Sequence, residues 1–175
     1  MTPGFFGKIP ATGDFVSRGL AAEFTRRWDD WLARHLAPWE IANAWPGHLA
    51  IRFLIGPGML GPAAGIFVPS MDRAGRQFPL AISVPLPFVA TSFAYSAAGW
   101  FEQVINAAFA ARGGQLNADE LAAELIALPF PMPEQMGDPV EKMVLWIVSE
   151  DLIEVEPDAP RAALENLLSS GSEAG

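Results

Sequence analysis

Apolar residues along this chain alternate between two spacings, and each change of spacing marks an element. Residues 4–9, GFFGKI, form a short apolar run that reads as a strand, closed by Pro10 and Gly13. The stretch TGDFVSRGL (12–20) holds neither period and reads as an ordered loop. From Leu20 to Trp45 the pattern turns helical. Leu20, Phe24, Trp28, Trp31, Leu32, His35, Leu36 and Trp39 recur at steps of three and four, with Glu23, Arg26, Arg27, Asp30 and Arg34 on the other side. Pro38 should kink or restart this helix. The tryptophan-rich stripe has two readings, a packed face and a partner-binding groove. Burial of one helix face requires this spacing, which favours packing.

Three further runs, LAIRFLI (49–55), GIFVPS (65–70) and FPLAISVPL (78–86), read as strands. Their connectors are short enough to make them adjacent and antiparallel. Residues 92–112 read as an alanine-rich helix closed by Gly113 and Gly114. Asn117 with Glu120 three residues on is a capping signal for a helix running to about Leu128. PFPMPEQMGDP is a proline-punctuated linker. KMVLWIV (142–148) and LIEVE (152–156) suggest a terminal hairpin, Ala159 to Ser169 a last amphipathic helix, and GSEAG a frayed tail. This order predicts an α/β fold, a three-layer sandwich whose mixed, mostly antiparallel sheet carries helices on both faces. An α+β fold with helices on one face is the alternative. The 175 residues fit a single domain, with core motifs over 4–86, a helical segment over 91–128 and the hairpin and helix over 142–169.

Composition narrows the chemistry. Half of the residues are apolar and 18% charged, enough for a sizeable core. The absence of cysteine removes disulfides, thiolate metal sites and a cysteine nucleophile, and two histidines are too few for a multi-histidine metal site. The net charge of −9 is uneven: residues 1–133 hold 10 acids and 9 bases, residues 134–175 hold 10 acids and 2 bases. Such an acidic segment repels phosphate backbones and anionic lipid, so nucleic acid is not expected as a partner. The N-terminal sequence lacks the basic start and long apolar run of a signal peptide, and no uninterrupted apolar window is long enough to span a bilayer. A cytoplasmic protein without membrane insertion is expected.

Familiar site signatures are incomplete. Gly56, Gly58 and Gly61 match G-x-G-x-x-G after a strand, but a β-rich run follows where a dinucleotide site needs a helix, so the stretch reads as a hairpin loop. Ser70, Asp72 and His48 could be named as a hydrolytic group, yet nothing fixes their geometry and no G-x-S-x-G elbow exists. Asp14 and Asp72 could pair as acid and base or hold magnesium. Each has basic residues near it in sequence, Lys8 and Arg18 for Asp14 and Arg73 for Asp72, which suits an ion pair better than a general acid. No catalytic residue, metal or cofactor is expected.

Two loops concentrate the remaining polar chemistry: GKIPATGDFVSRG (7–19) and PSMDRAGRQFP (69–79). Each gathers Gly, Pro, Asp and Arg, the residues of tight turns and two-pronged carboxylate pairing. Lys8, Asp14, Arg18, Ser70, Asp72, Arg73 and Arg76 are the candidate binding residues. The loops either brace each other at one end of the sheet or project arginines to a carboxylate or phosphate on a partner. A small-ligand or phosphate sensor built on Lys8, Arg73 and Arg76 is the other binding possibility.

These stretches carry a resemblance. GFFGKIPATGDFVSRGL, a helix with WDDWL, then IRF, then GIFVPSMDRAGRQFPL, resemble the TagF (ImpM) family of accessory proteins of bacterial type VI secretion systems, over roughly residues 4–86. A weaker echo falls at KMVLWIV, where Ile147 follows Trp146 and the family tends to carry paired tryptophans. The resemblance implies a three-layer α/β sandwich and a cytoplasmic regulator that represses secretion after translation by protein–protein binding. It implies the forkhead-associated scaffold of the system as partner, in opposition to a threonine kinase and phosphatase pathway. Lys8, Asp14, Arg18, Ser70, Asp72, Arg73, Gly75 and Arg76 match the family pattern; the resemblance assigns none of them a catalytic role.

Overall fold

The central strands of this protein divide their side chains between two separately buried faces, and that division sets the architecture. The computed structural model describes residues 1–58, 60–134, 137–148 and 151–173. Its strands are β1 (Gly4–Gly7), β2 (Val16–Arg18), β3 (Ile51–Ile55), β4 (Ala63–Val68), β5 (Leu80–Pro85), β6 (Met143–Trp146) and β7 (Ile153–Val155). They form one sheet in the order β2-β1-β5-β4-β3-β6-β7. The sheet, expected to be mixed and mostly antiparallel, is antiparallel at every described pairing. Short hairpin connectors between β3, β4 and β5 enforce this locally, because a parallel pair would need a long crossover.

On β3, Ile51, Phe53 and Ile55 enter one cluster while Leu54, with Ala50 just before the strand, enters the other. The first face is covered by α1 (Ala22–His35), α2 (Ala37–Ile41) and α6 (Arg161–Glu173), the second by α3 (Phe93–Ser96), α4 (Ala98–Arg112) and α5 (Ala118–Ile126). Helices therefore lie on both faces, as the element order predicts, and the one-faced alternative does not hold. The tryptophan stripe of α1 is packed: Trp28 is fully buried against Phe53 at 5.1 Å and Phe67 at 5.3 Å, and Trp31 stacks on Phe67 at 5.6 Å. Such ring pairs contribute about 0.5–1.5 kcal/mol each beyond area burial. The helix stops at Leu36 and restarts as α2, with Pro38 in its first turn, where a missing N–H costs nothing. It ends at Ile41, short of Trp45, whose indole N–H donates to the Leu49 carbonyl.

Several boundaries differ from the expected ones. The strand expected over 4–9 ends at Gly7, which has φ 142° and would place a Cβ 2.1 Å from the Pro79 carbonyl oxygen. Only glycine fits that bend, and it releases Lys8 from the sheet. The stretch expected to be all loop contains β2, too short to display alternation. The helix expected over 92–112 divides at Ala97 into α3 and α4. The Asn117–Glu120 capping box is present, with Glu120 N–H donating to Asn117 Oδ1 at 2.9 Å and Asn117 N–H to Glu120 Oε1 at 3.1 Å. The terminal hairpin forms from β6 and β7. The tail expected to fray from Gly171 continues α6 to Glu173, because buried Gly171 seats the helix on Leu49 where a Cβ would come within 2.4 Å. Met59 of the glycine-rich loop, Gln135 and Met136 of the linker, and Ala174 and Gly175 of the tail lie outside the described residues.

Candidate functional site

Strand register brings the two polar loops together. Gly7 at the end of β1 pairs with Leu80 at the start of β5, and Val68 at the end of β4 pairs with the same Leu80. The chain therefore leaves the sheet at one rim through both loops.

Asp72 is the centre of that rim, with its side chain fully buried. Its Oδ1 accepts from the backbone N–H of Ala74 at 2.9 Å and of Arg76 at 3.0 Å. Its Oδ2 accepts from Arg76 Nε at 2.8 Å and lies 3.3 Å from Lys8 Nζ. Gly75, at φ 80°, supplies the left-handed turn that closes this loop around its own aspartate. Burial alone would push the Asp72 carboxyl up, but hydrogen bonds from the Arg76 backbone, from Lys8 and from the Arg76 side chain outweigh it and hold the group down at about 2. Four donors on two oxygens leave no lone pair suited to a general base.

The loops are also tied through their backbones. Arg73 N–H donates to the Thr12 carbonyl at 2.8 Å and Arg73 Nη2 to the Ala11 carbonyl. Arg76 Nη2 donates to the Gly13 carbonyl at 2.7 Å. Both arginines remain solvent-exposed while making these bonds. Phe15 stacks on Phe6 at 5.8 Å and meets Phe78 edge-on at 4.8 Å, with Lys8 Nζ 4.8 Å from its ring, yet it stays 45% exposed; Met71 is 41% exposed. The outer surface of the rim is thus an aromatic ring and a thioether beside two guanidinium groups.

Three candidate residues, Asp14, Arg18 and Ser70, take no part in this cluster. Asp14 is exposed and accepts from the N–H of Phe15 at 2.7 Å; the ion pairs expected with Lys8 and Arg18 do not form. Lys8 is instead drawn inward by Asp72, and Arg18 leans on β2 towards Asp119 of α5 at 3.2 Å. Ser70 is buried: its N–H donates to Glu40 Oε1 at 2.8 Å, and its Oγ has no hydrogen-bond partner among the described residues. His48 lines a different cleft with Arg52, Glu102 and Phe109, so the Ser70–Asp72–His48 grouping does not assemble. No group of three or more His, Asp or Glu suited to a metal ion exists among the described residues.

Glu40 is the site residue that sequence reading missed. It is buried on α2, its Oε2 lacks a hydrogen-bond partner among the described residues, and burial raises its pKa to about 7 against the opposing Ser70 N–H, Arg112 and Lys8. The signal was present: Glu40 continues the i, i+4 row of Trp28, Leu32 and Leu36, placing a carboxyl where the stripe demands an apolar side chain.

An antiparallel sheet between two helical layers, with a rim braced on one buried aspartate, defines the class of protein. The family described as TagF N-terminal domain, Type VI secretion system-associated, matches residues 4–128, and the chain belongs to that family. The match contains both rim loops and Glu40 and stops before β6, β7 and α6. Among solved structures the chain is similar to PA0076 from Pseudomonas aeruginosa PAO1, with 29% identity and a TM-score of 0.64 over 99% of this chain and 78% of that one. No curated protein matches the sequence. No helix among the described residues is long and apolar enough to cross a membrane.

Proposed function

We propose that this protein is a cytoplasmic negative regulator of a type VI secretion system, acting after translation by docking a protein partner at the braced rim. The partner implied by the family resemblance is the forkhead-associated scaffold of the system. The observation that carries the docking surface is the division of labour at the rim. Asp72 and Lys8 are turned inward to hold the loops, while Phe15, Met71, Arg73 and Arg76 are held outward on a rigid base. Aromatic, methionine and arginine side chains are those enriched where proteins bind one another, and a preformed surface costs little ordering on binding.

A phosphate sensor built on Lys8, Arg73 and Arg76 is less well supported, since Lys8 is buried and occupied by Asp72. A hydrolytic reading lacks an assembled nucleophile and base. The test is affinity for the scaffold protein, paired with a secretion assay. Phe15→Ala should weaken binding by about tenfold or more and restore secretion. Its contacts with Phe6 and Phe78 are lost as well, so the melting temperature should fall by several degrees, and binding is compared at a temperature where circular dichroism shows the variant folded. Undiminished scaffold binding by Phe15→Ala combined with Met71→Ala and Arg73→Ala would remove the rim as the docking site. Unaltered secretion on deleting the protein would remove the regulatory role.

A further inference from the structure

A cleft of about 440 Å³ opens between α1, α2 and the start of α6, away from the rim loops. Its walls include Arg34 and His35 from the end of α1, Pro38 and Trp39 from α2, and Pro160 and Arg161 where α6 begins. In a chain with net charge −9, two arginines facing one cavity without a carboxylate partner are unusual chemistry. Neither Arg34 nor Arg161 makes a hydrogen bond or ion pair among the described residues. By contrast Arg18, Arg26, Arg52, Arg73, Arg76 and Arg112 are each committed to an oxygen. Trp39 is half-buried, and no other ring packs on it among the described residues.

We propose that this cleft binds a small aromatic anion, its phosphate or carboxylate held between Arg34 and Arg161 and its ring laid on Trp39 between Pro38 and Pro160. The volume suits a small organic ligand, and such pockets combine apolar walls with a few charged groups that fix orientation. The positive end of α6, opened by Arg161, acts in the same sense as the two guanidinium groups. An adjoining cavity of about 260 Å³ shares Arg34 and His35 and adds Arg27 together with Asp30 and Asp158. Its two carboxylates offset its arginines, so an anion is drawn more strongly to the Trp39 end, whose lining residues include no carboxylate. His35 reports on occupancy. Burial first and Arg34 second hold its pKa below 6.5, against the pull of Asp158, and an arriving anion must raise it.

The experiment titrates phenyl phosphate, benzoate and inorganic phosphate into the full chain, following the His35 imidazole and Trp39 indole resonances by NMR. Phenyl phosphate should produce saturable shifts at both residues and raise the His35 pKa. Inorganic phosphate, lacking the ring, should bind several-fold more weakly. Arg34→Gln and Arg161→Gln should each weaken phenyl phosphate by roughly tenfold, with circular dichroism and melting temperature unchanged because both side chains are exposed. Absence of saturable shifts into the tens of millimolar, or equal affinity in the double variant, would overturn the proposal. Tighter binding by a peptide-borne aryl phosphate than by the free compound would reassign the cleft to a protein segment and overturn the small-molecule reading.

Discussion

The rim and the cleft both display arginine, and they use it in opposite ways. At the rim, Arg73 and Arg76 spend donors on the carbonyls of Ala11 and Gly13, and Arg76 also closes on Asp72. At the cleft, Arg34 and Arg161 face solvent with no such partner among the described residues. The rim arginines sit in a conspicuous motif, the cleft arginines in none. A charged motif therefore marks where charge is needed, and the bonding pattern decides whether the need is internal. One helix joins the two regions: in α2, Trp39 lines the cleft and the next residue, Glu40, holds the Ser70 N–H beneath the rim.

The largest effect should come from the brace itself. Asp72→Ala strands Lys8 in a buried position and frees two N–H groups, and removing one partner of a buried pair is far costlier than removing an exposed one. The melting temperature should fall by about 10 °C. A fall of a degree or two would mean that the loops hold together without their aspartate.

Next in size is a pH dependence. The Glu40 pKa of about 7 lies above its ordinary 4.5, so the folded protein keeps a proton that the unfolded chain has released. Its contribution is greatest below pH 4.5 and declines as pH rises through 7, since the folded state binds the extra proton between those limits. Asp72 acts in the other direction: its pKa is depressed from 3.8 to about 2, so its contribution is complete above 3.8 and is lost as pH falls towards 2. By themselves these two groups favour the acid side of neutrality, while His35, held below 6.5, opposes Glu40 as pH falls through that range. Glu40→Gln should flatten the decline between pH 5 and 8, raising the melting temperature by a few degrees at pH 8 and leaving it unchanged at pH 4. A variant that keeps the wild-type slope would show that another group titrates.

Arg76→Ala should cost less than loss of Asp72, about 1 kcal/mol, because the Arg76 side chain is 63% exposed and Lys8 stays on the carboxylate. If the rim is also the docking surface, affinity for the scaffold should fall by more than this loss of stability accounts for. Calorimetry on the same variant separates the two roles.

The fold was legible wherever packing alone dictates pattern. The tryptophan stripe of α1, the β3-β4-β5 meander and the Asn117 cap are local or strongly periodic, and each forms as read. β3 and β4, on either side of the glycine-rich connector, pair antiparallel, as the β-rich run after the glycines required. What the sequence hid depends on contacts between distant segments. β2 exists because β1 offers it a ladder, and α6 extends past Gly171 because Leu49 fills the space beside it. At the site, Asp72 with its two bases could be seen as a charged turn. Its choice of Lys8, 64 positions earlier, is set by the Gly7–Leu80 register, which no local pattern states. Glu40 was overlooked because a lone acid on an apolar row looks like a solvated edge until Ser70 arrives above it.

The smallest effect should come from Arg18, and it sharpens the boundary of the rim. Its sequence neighbourhood groups it with Asp14 and Lys8, yet β2 points it at Asp119 of α5, where the side chains are 45% and 86% exposed. Exposed pairs of this kind contribute about 0–1 kcal/mol, since water screens the charges and two long side chains must be ordered. Arg18→Ala should leave the melting temperature within about 2 °C of wild type and scaffold affinity unchanged. A loss of affinity comparable to that of Phe15→Ala, without loss of stability, would extend the docking surface from the rim along β2 to α5. The division between braced loops and flanking strand would then be one of packing only, not of recognition.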